Sequence, residues 1–580
     1  MTRSHVAFGF ITTAVVSGVL VALPGASSFA AATDCPTALP TAQAVDGLTG
    51  TGYTVEKGTK AEEFTATVLG RVTDGIAPGV DMIMAEVDSP ALDRAGGVWA
   101  GMSGSPVYTS GGKLIGSVSY GLAASSKIAG ITPAADLLAL KAGTKSATKI
   151  AVSSTKAARI ASTGEASSKL AAKGFQRLPV PVTITGAAPK NTQHFLSRIE
   201  KNSGPVVRTS ASTASKLSAS AKSSPSEIFA GSNYAAALSY GDIAATALGT
   251  TTYVCGKTAI AFGHPFFGVG PAEYSVHPAT AVYVQADPIG GPFKVGNPGG
   301  VVGTVTQDGT IGLTSTLGTA PKHTYPITTS LKNAAGKTFT GKTVGVYQPY
   351  AGDIAATHLQ SAVVKANGAQ GAGSAAVTYT VTGTRAGGKK FSLTHTDRYT
   401  DSYDIAYATA DALYASISPL VQQEFENVNI TGVKVTGTVS TTYKPYRVTK
   451  VETKKSGQWV ALKGTQKVTS GGSIPLRATL LAYRSTKKVT VPLTVAVPKK
   501  SKGWTGSLTV ADSLTAAPGT NEPTSLTALL AQLRSVPSNN VLVSKVDLRS
   551  SKGAKRHSVR ETALKTTVSS YFKTVSVTVK

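Results

Sequence analysis

The chain has 580 residues, room for roughly three or four domains, and carries 57 Lys and Arg against 30 Asp and Glu, a formal charge of +27. Such an excess favours anionic partners. The lysines are scattered, however, aromatics are sparse and no nucleic-acid-binding motif occurs, which argues against a nucleic-acid-binding module. The charge is expected to give solubility and a loose association with anionic cell-envelope polymers.

Residues 1–32 carry an export signal: Arg3, a largely apolar run from Val6 to Leu23, and the small-x-small pattern Ser28-Phe29-Ala30. No later stretch has the ~18 apolar residues that a membrane span needs. The mature chain is therefore expected to be secreted or held at the cell surface, without a transmembrane segment. Cys35 and Cys255 are the two cysteines, and export permits a disulfide between them; two buried thiols are an equal alternative.

Residues 33–140 form a first β unit. Phe64 to Leu69 and Met82 to Val87 are strand-like, and Lys113 to Gly121 alternates behind a Gly111-Gly112 turn. Residues 141–230 are rich in Ala, Ser and Lys and are expected to be a linker with short helices, interrupted by the apolar patch Leu178 to Val182. Strand patterns resume over 231–330, where Thr258 to Phe262 runs into Gly263-His264-Pro265 and an Asp308-Gly309 turn joins two strands. Residues 331–445 are predicted β-rich with a helix near Asp404 to Phe425. Residues 446–580 are predicted to be a sandwich-like region, with a helix from Ser525 to Leu533.

Between the early strands lies Gly101-Met102-Ser103-Gly104-Ser105-Pro106. A serine hydroxyl becomes a nucleophile when a base takes its proton and fixed N–H donors receive the oxyanion. The flanking glycines allow a turn sharp enough for the N–H groups of Gly101 and Ser103 to converge. A plain Gly/Ser turn is the competing account of Ser103, and Ser105 is its internal control. For the base, His264 ends an apolar strand in a Gly-Pro-framed turn, whereas His277 lies in a less constrained setting; a structural turn histidine is the competing account. Asp88, Asp93, Asp242, Asp287 and Asp308 are all available to orient an imidazole, and spacing does not choose among them. Asp308 is best accounted for by its turn, and Asp88 by capping the turn that follows it. No histidine pair or cysteine cluster has metal-ligand spacing, so neither a metal nor another cofactor is expected.

Asp88-Ser89-Pro90, Ala95-Gly96-Gly97-Val98 and Gly101 to Pro106 together resemble the nucleophile segment of the stage IV sporulation protein B (SpoIVB) serine peptidase family. Ala261 to Pro265 is similar to that family's base segment, and Gly296-Asn297-Pro298-Gly299 to a segment that follows it. The resemblance covers residues 60–140 and 235–330. It implies a mostly β fold with a trypsin-like double β-barrel built from two separated segments, Ser103 as nucleophile and His264 as base. Asp88 falls where the family has a functional aspartate. The order of the two segments is reversed here, and no PDZ-like segment precedes them, so a sporulation role is not carried over.

The resulting expectation is a secreted serine endopeptidase acting on a protein or peptide through an acyl-enzyme. Ser119, Tyr120 and Gly121 would offer the substrate a strand edge, and Gly97 would floor a pocket for a small or apolar side chain. The alternative is a non-catalytic surface-binding protein that keeps the scaffold.

Overall fold

The computed structural model describes residues 35–122, 126–140, 145–187, 189–209, 222–517 and 522–580. The export signal expected at 1–32 lies outside the described residues. The fold is mostly β, with two closed six-stranded barrels in separate segments followed by β-rich C-terminal sheets.

The first barrel uses β1 (Thr49–Thr54), β2 (Glu62–Ala77), β3 (Val80–Asp88), β4 (Pro106–Thr109), β5 (Leu114–Gly121) and β6 (Ile128–Pro133). They run in the order β4-β1-β2-β3-β6-β5, and pairing of β4 with β5 closes the ring. Alternation sets which side faces in: Phe64, Ala66 and Val68 of β2 join Ile83 and Ala85 of β3 in one apolar cluster. Met82 and Met84 point the other way, into a cluster shared with Tyr253, Ile260 and Ile311 of the second barrel. A short helix, α1 (Pro90–Ala95), is capped by Ser89 Oγ accepting from Leu92 N and ends on Gly96 in the left-handed region.

Residues 141–230 do more than link. Besides the helices α2 (Ala134–Leu138) before them and α3 (Ser154–Ala161), α4 (Ser168–Ala171) and α5 (Pro189–Ser203) within them, they supply four strands. β7 (Lys149–Ile150) and β8 (Phe175–Arg177) extend the first barrel from β5, while β9 (Val180–Thr185) and β10 (Val206–Thr209) extend the second. The apolar patch seen in the sequence is this crossing segment.

The second barrel contains β11 (Asn233–Gly241), β12 (Ala244–Cys255), β13 (Thr258–Ala261) and β14 (Gly270–Gln285). The arm β15 (Phe293–Pro298) pairs with the far half of β14, and β16 (Gly303–Gly309) and β17 (Gly312–Leu317) complete the ring. Its order is β12-β13-β17-β16-β14-β11, closed by β11 with β12. From β11 the sheet continues through β19 (Thr338–Gly345), β18 (Tyr325–Lys332), β22 (Asn429–Ser440), β20 (Gly373–Thr384) and β21 (Lys390–Asp401).

Two helices cover that extension, α6 (Ala351–Asn367) and α7 (Ile405–Gln422), where the sequence had suggested one. α7 starts as expected, with the Asp404 carboxylate accepting from the N–H groups of Ala406 and Tyr407. α6 escaped notice because its buried face mixes Ile354 and Leu359 with Gly352, Asp353 and His358, which blurs the apolar stripe. In residues 446–580 a four-stranded and a five-stranded sheet share one core around Leu476, Leu480, Leu508 and Leu548.

Cys35 and Cys255 are joined by a disulfide across 220 residues. It ties the segment that begins at Cys35 to the end of β12, while Leu39 N donates to Leu114 O at 2.7 Å and Leu114 N to Thr37 O at 2.8 Å. Loop-closure entropy for so long a loop sets an upper scale of about 5 kcal/mol. The Cys35→Ser/Cys255→Ser variant should therefore unfold at clearly lower urea than the parent. An unchanged midpoint would mean that the backbone pairing alone holds this segment.

Candidate active site

Ser103 lies in the turn between α1 and β4. Gly101 and Gly104 flank it with φ of +95° and +98°, values that a side chain opposes. A Cβ on Gly104 would also lie 1.9 Å from Thr250 O, so glycine is required there. The turn is sewn to β12 of the other barrel. Thr250 N donates to Ser103 O at 2.8 Å, Thr250 Oγ1 to Gly101 O at 2.9 Å, and Thr252 Oγ1 to Gly104 O at 2.8 Å.

Thr250 also fixes the second turn, since its carbonyl accepts from Phe262 N at 3.2 Å. Phe262 and Gly263 both have positive φ, +70° and +67°. For phenylalanine this is a strained conformation, held by complete burial and an edge-on contact with Tyr234. Thr132 Oγ1 donates to Gly263 O at 2.8 Å. A Cβ on Gly263 would sit 2.3 Å from both Ser117 Oγ and Ser119 Oγ. The turn therefore aims His264 in one direction only.

That direction is Ser103: His264 Nε2 is 2.9 Å from Ser103 Oγ, across 161 residues of sequence. The other ring nitrogen, Nδ1, is 2.9 Å from the Pro265 carbonyl. A carbonyl only accepts, so Nδ1 carries the proton and Nε2 is free to accept from the serine hydroxyl. Among the described residues, the N–H groups of Met102, Gly104 and Ser105 are taken by Trp99 O, Val118 O and Met102 O, while those of Gly101 and Ser103 have no acceptor. Two free backbone donors beside a serine are what an oxyanion requires.

Asp88 is not brought to His264. It ends β3 at the surface, where its carboxylate pairs with Lys127 Nζ at 2.6 Å, and the same ammonium meets Asp93 at 2.5 Å. The place opposite Nδ1 belongs to the Pro265 carbonyl instead. The carboxylate that matters nearby is Asp308, which turns inward from its hairpin. It accepts from Phe266 N at 2.9 Å, Phe267 N at 2.7 Å and Tyr274 Oη at 2.9 Å. Asp308 thus clamps the loop that follows His264 without touching the ring. Burial raises its pKa, against the pull of the Phe267 and Phe266 N–H groups. Asp308-Gly309 reads as a turn in sequence, but both residues lie on β16 and the hairpin turns at Thr310-Ile311; a buried acceptor and a turn former look alike in sequence.

Ser103 is 3% exposed and His264 fully buried. Burial, and then the nearby Arg177 charge, push the His264 pKa down to about 3, while the Pro265 carbonyl acts the other way. The ring is therefore a neutral base at any ordinary pH. Arg177 and Lys294 were not singled out by the sequence. Lys294 is fully buried beside Gly101, donates from Nζ to Asn233 Oδ1 at 2.9 Å, and is pushed down to about 7 by burial. Its strand β15 flanks the nucleophile turn: Ala100 N donates to Pro292 O at 2.8 Å, and Lys294 N to Ala100 O at 2.9 Å.

Gly97, with φ +130°, backs directly on Ser126, where a Cβ would come within 2.6 Å of the backbone. Ser119, Tyr120 and Gly121 do form a strand edge beside the serine, but the edge is already paired with β8, as Tyr120↔Arg177 and Gly121↔Gln176. Among the described residues no group of three or more His, Cys, Asp or Glu is placed to hold a metal.

Residues 2–131 match the family model described as SpoIVB peptidase S55. The match takes in Gly97, Ser103 and the Ser119–Gly121 edge, and ends before His264. No curated protein matches the chain. A solved structure titled "Crystal structure of tetra-tandem repeat in extending region of large adhesion protein" aligns at 8% identity over 90% of this chain and 93% of its own, with a TM-score of 0.08, too low for a shared fold. Over its first barrel the chain resembles a family of serine peptidases.

Proposed function

We propose that the protein is an exported serine endopeptidase that cuts peptide bonds through an acyl-enzyme, with Ser103 as nucleophile and His264 as base. The observation that carries this reading is the 2.9 Å contact between His264 Nε2 and Ser103 Oγ, beside the two unpaired N–H groups. The match of residues 2–131 to a serine peptidase family supports it, as does the double-barrel architecture. No helix among the described residues is long and apolar enough to cross a membrane. Association with envelope polymers gains no support from the comparisons.

In the first step Ser103 Oγ bonds to the substrate carbonyl carbon, and its proton passes to His264 Nε2. The carbonyl oxygen becomes an oxyanion received by the Gly101 and Ser103 N–H groups. The imidazolium then gives its Nε2 proton to the leaving amine as the C–N bond breaks, leaving an acyl-serine. Water, deprotonated by the same nitrogen, releases the acid and restores Ser103. The Pro265 carbonyl keeps the tautomer and ring orientation that an aspartate provides elsewhere. As a neutral acceptor it stabilises the imidazolium less than a carboxylate does.

Three outcomes test this assignment. Ser103→Ala should abolish hydrolysis of an unstructured protein, apart from a small residual rate, while Ser105→Ala, with no chemical role, should retain most of it; both should melt near the parent. Equal activity in the parent and Ser103→Ala would remove the peptidase assignment and leave a surface-binding role.

Asp88→Asn should keep kcat within about twofold, as surface substitutions usually have small effects. Asp308→Asn replaces an acceptor facing two N–H groups with an amide that satisfies them poorly. It should lower kcat on the order of 100-fold, as misplaced catalytic groups do, with KM little changed. The reverse ranking would return the carboxylate role to Asp88.

A base with a depressed pKa stays active in acid. With substrate saturating, kcat should persist at pH 5.5, where an unperturbed imidazole would be about nine-tenths protonated. The rate should fall only as pH drops further toward the buried His264 value of about 3. An acid limb centred near the ordinary histidine pKa would show that His264 titrates in contact with water.

A further inference from the structure

The crossing between the barrels runs through the place where a substrate belongs. Arg177 and Gln176 of β8 pair antiparallel with Tyr120 and Gly121, and Leu178 N donates to Ser119 O at 3.1 Å. This is main-chain pairing of the kind an extended peptide makes on a strand edge. Leu178 packs into the apolar cluster of Val98, Trp99, Met102 and Val118, which surrounds the nucleophile turn. A Cβ on Gly121 would lie 3.1 Å from Leu178 Cδ2.

Past Pro179 the chain packs beside Gly101 of the nucleophile turn. Pro181 Cγ lies 3.3 Å from the Cβ position of Gly101. The chain then joins the second barrel, where Val182 and Thr183 pair with Ala247 and Thr246 of β12. Leu178, Val180 and Arg177 are 6%, 3% and 7% exposed, while Ser103 is 3% exposed and His264 fully buried. With the segment in this position, Ser103 and His264 are closed to solvent.

We propose that residues 175–181 are a strap that occupies the substrate groove in cis, so that the enzyme is latent until an extended apolar peptide resembling Leu178-Pro179-Val180-Pro181 displaces it. This rests on the Ser103–His264 reading above.

The composition of the strap suits an occupant that is not itself cut. Both bonds that follow its apolar side chains, Leu178–Pro179 and Val180–Pro181, run to proline nitrogens, whose rings crowd the leaving side and hold the preceding residue extended. The strap also carries Arg177, held by a hydrogen bond from Nη2 to Ser203 O. Its charge beside His264 opposes the imidazolium that catalysis must form. Displacing the strap would thus open the groove and remove that charge together.

The test compares fluorophosphonate labelling of Ser103 in the full-length parent and in Leu178→Asp, which expels the leucine from its apolar site. The strap predicts labelling roughly tenfold faster or more in the variant, in proportion to the open fraction, and slowed again by an excess of a peptide copying residues 174–183. Equal rates in parent and variant would overturn the strap and leave the peptidase reading intact. Should Leu178→Asp fail to fold, the uncharged Pro179→Gly/Pro181→Gly variant loosens the same segment and should shift the rate in the same direction. Absence of labelling in all folded forms would instead remove the peptidase reading. The strap is then judged by hydrogen exchange on Ser103→Ala protein with the same peptide bound. Lost protection over 175–181 supports it, and unchanged protection overturns it.

Discussion

Thr250 is the residue on which the candidate site depends. Its N–H and hydroxyl donate to the nucleophile turn, at Ser103 O and Gly101 O, and its carbonyl accepts from Phe262 two residues before the base. One strand of the second barrel therefore sets the position of both turns. Each bond is ordinary, worth about 1 kcal/mol net, but all act on groups already removed from water, where an unpaired partner costs more than a pair gains. The close approach also explains why Gly104 tolerates no side chain: the atom it would meet is the Thr250 carbonyl.

A serine–histidine contact is not by itself a catalytic signature, and this chain contains a second one. His277 Nε2 lies 2.8 Å from Ser275 Oγ, and His277 Nδ1 lies 2.8 Å from Gly299 O, the same bonding pattern as at His264. Both residues stand on β14 with a fully buried ring, and the Ser275 hydroxyl also lies 3.3 Å from Ala237 O. Ser275 and His277 pair across the sheet, as Ala237↔Ser275 and Ala235↔His277, so their backbone is committed to the ladder. What sets Ser103 apart is the turn, which leaves two N–H groups, those of Gly101 and Ser103, without an acceptor among the described residues. The histidine contact takes on chemical meaning at Ser103 because glycines on either side free those donors.

This is also why the two turns were legible in sequence while the rest of the site was not. Glycine at 101, 104 and 263 announces backbone that other residues resist, and each proved to have positive φ. Asp88 carried no such constraint. Its position at a strand end was equally consistent with a surface ion pair, which is where it lies. The orienting acceptor is a main-chain carbonyl, and no side-chain pattern encodes one. Asp308, Arg177 and Lys294 act through long-range burial, which is settled by tertiary packing rather than by neighbours in the chain. The two β units followed from strand alternation and turn residues, and their closure as two barrels from the family resemblance. The strands hidden in 141–230 did not, because β8 and β9 are short and set among residues whose composition resembles a linker.

The order of the two barrels, with Ser103 on the first and His264 on the second, has a consequence for the cleft. With the serine barrel first, the chain leaving it must travel to the histidine barrel, and on the way it meets an edge of β5 and an edge of β12. Sheet edges are readily paired, and the connector pairs with both in succession, β8 on one and β9 on the other. Where it crosses between them Pro181 packs beside Gly101, and the buried His264 has its pKa pushed down by that burial and then by the Arg177 charge which the crossing carries. Low dielectric strengthens the hydrogen bonds that orient the ring, yet it disfavours the charged imidazolium that the reaction must form. The same crossing therefore preorganises the neutral dyad and holds it short of reaction, so groove occupancy and the charge state open to His264 are two consequences of one path of the chain.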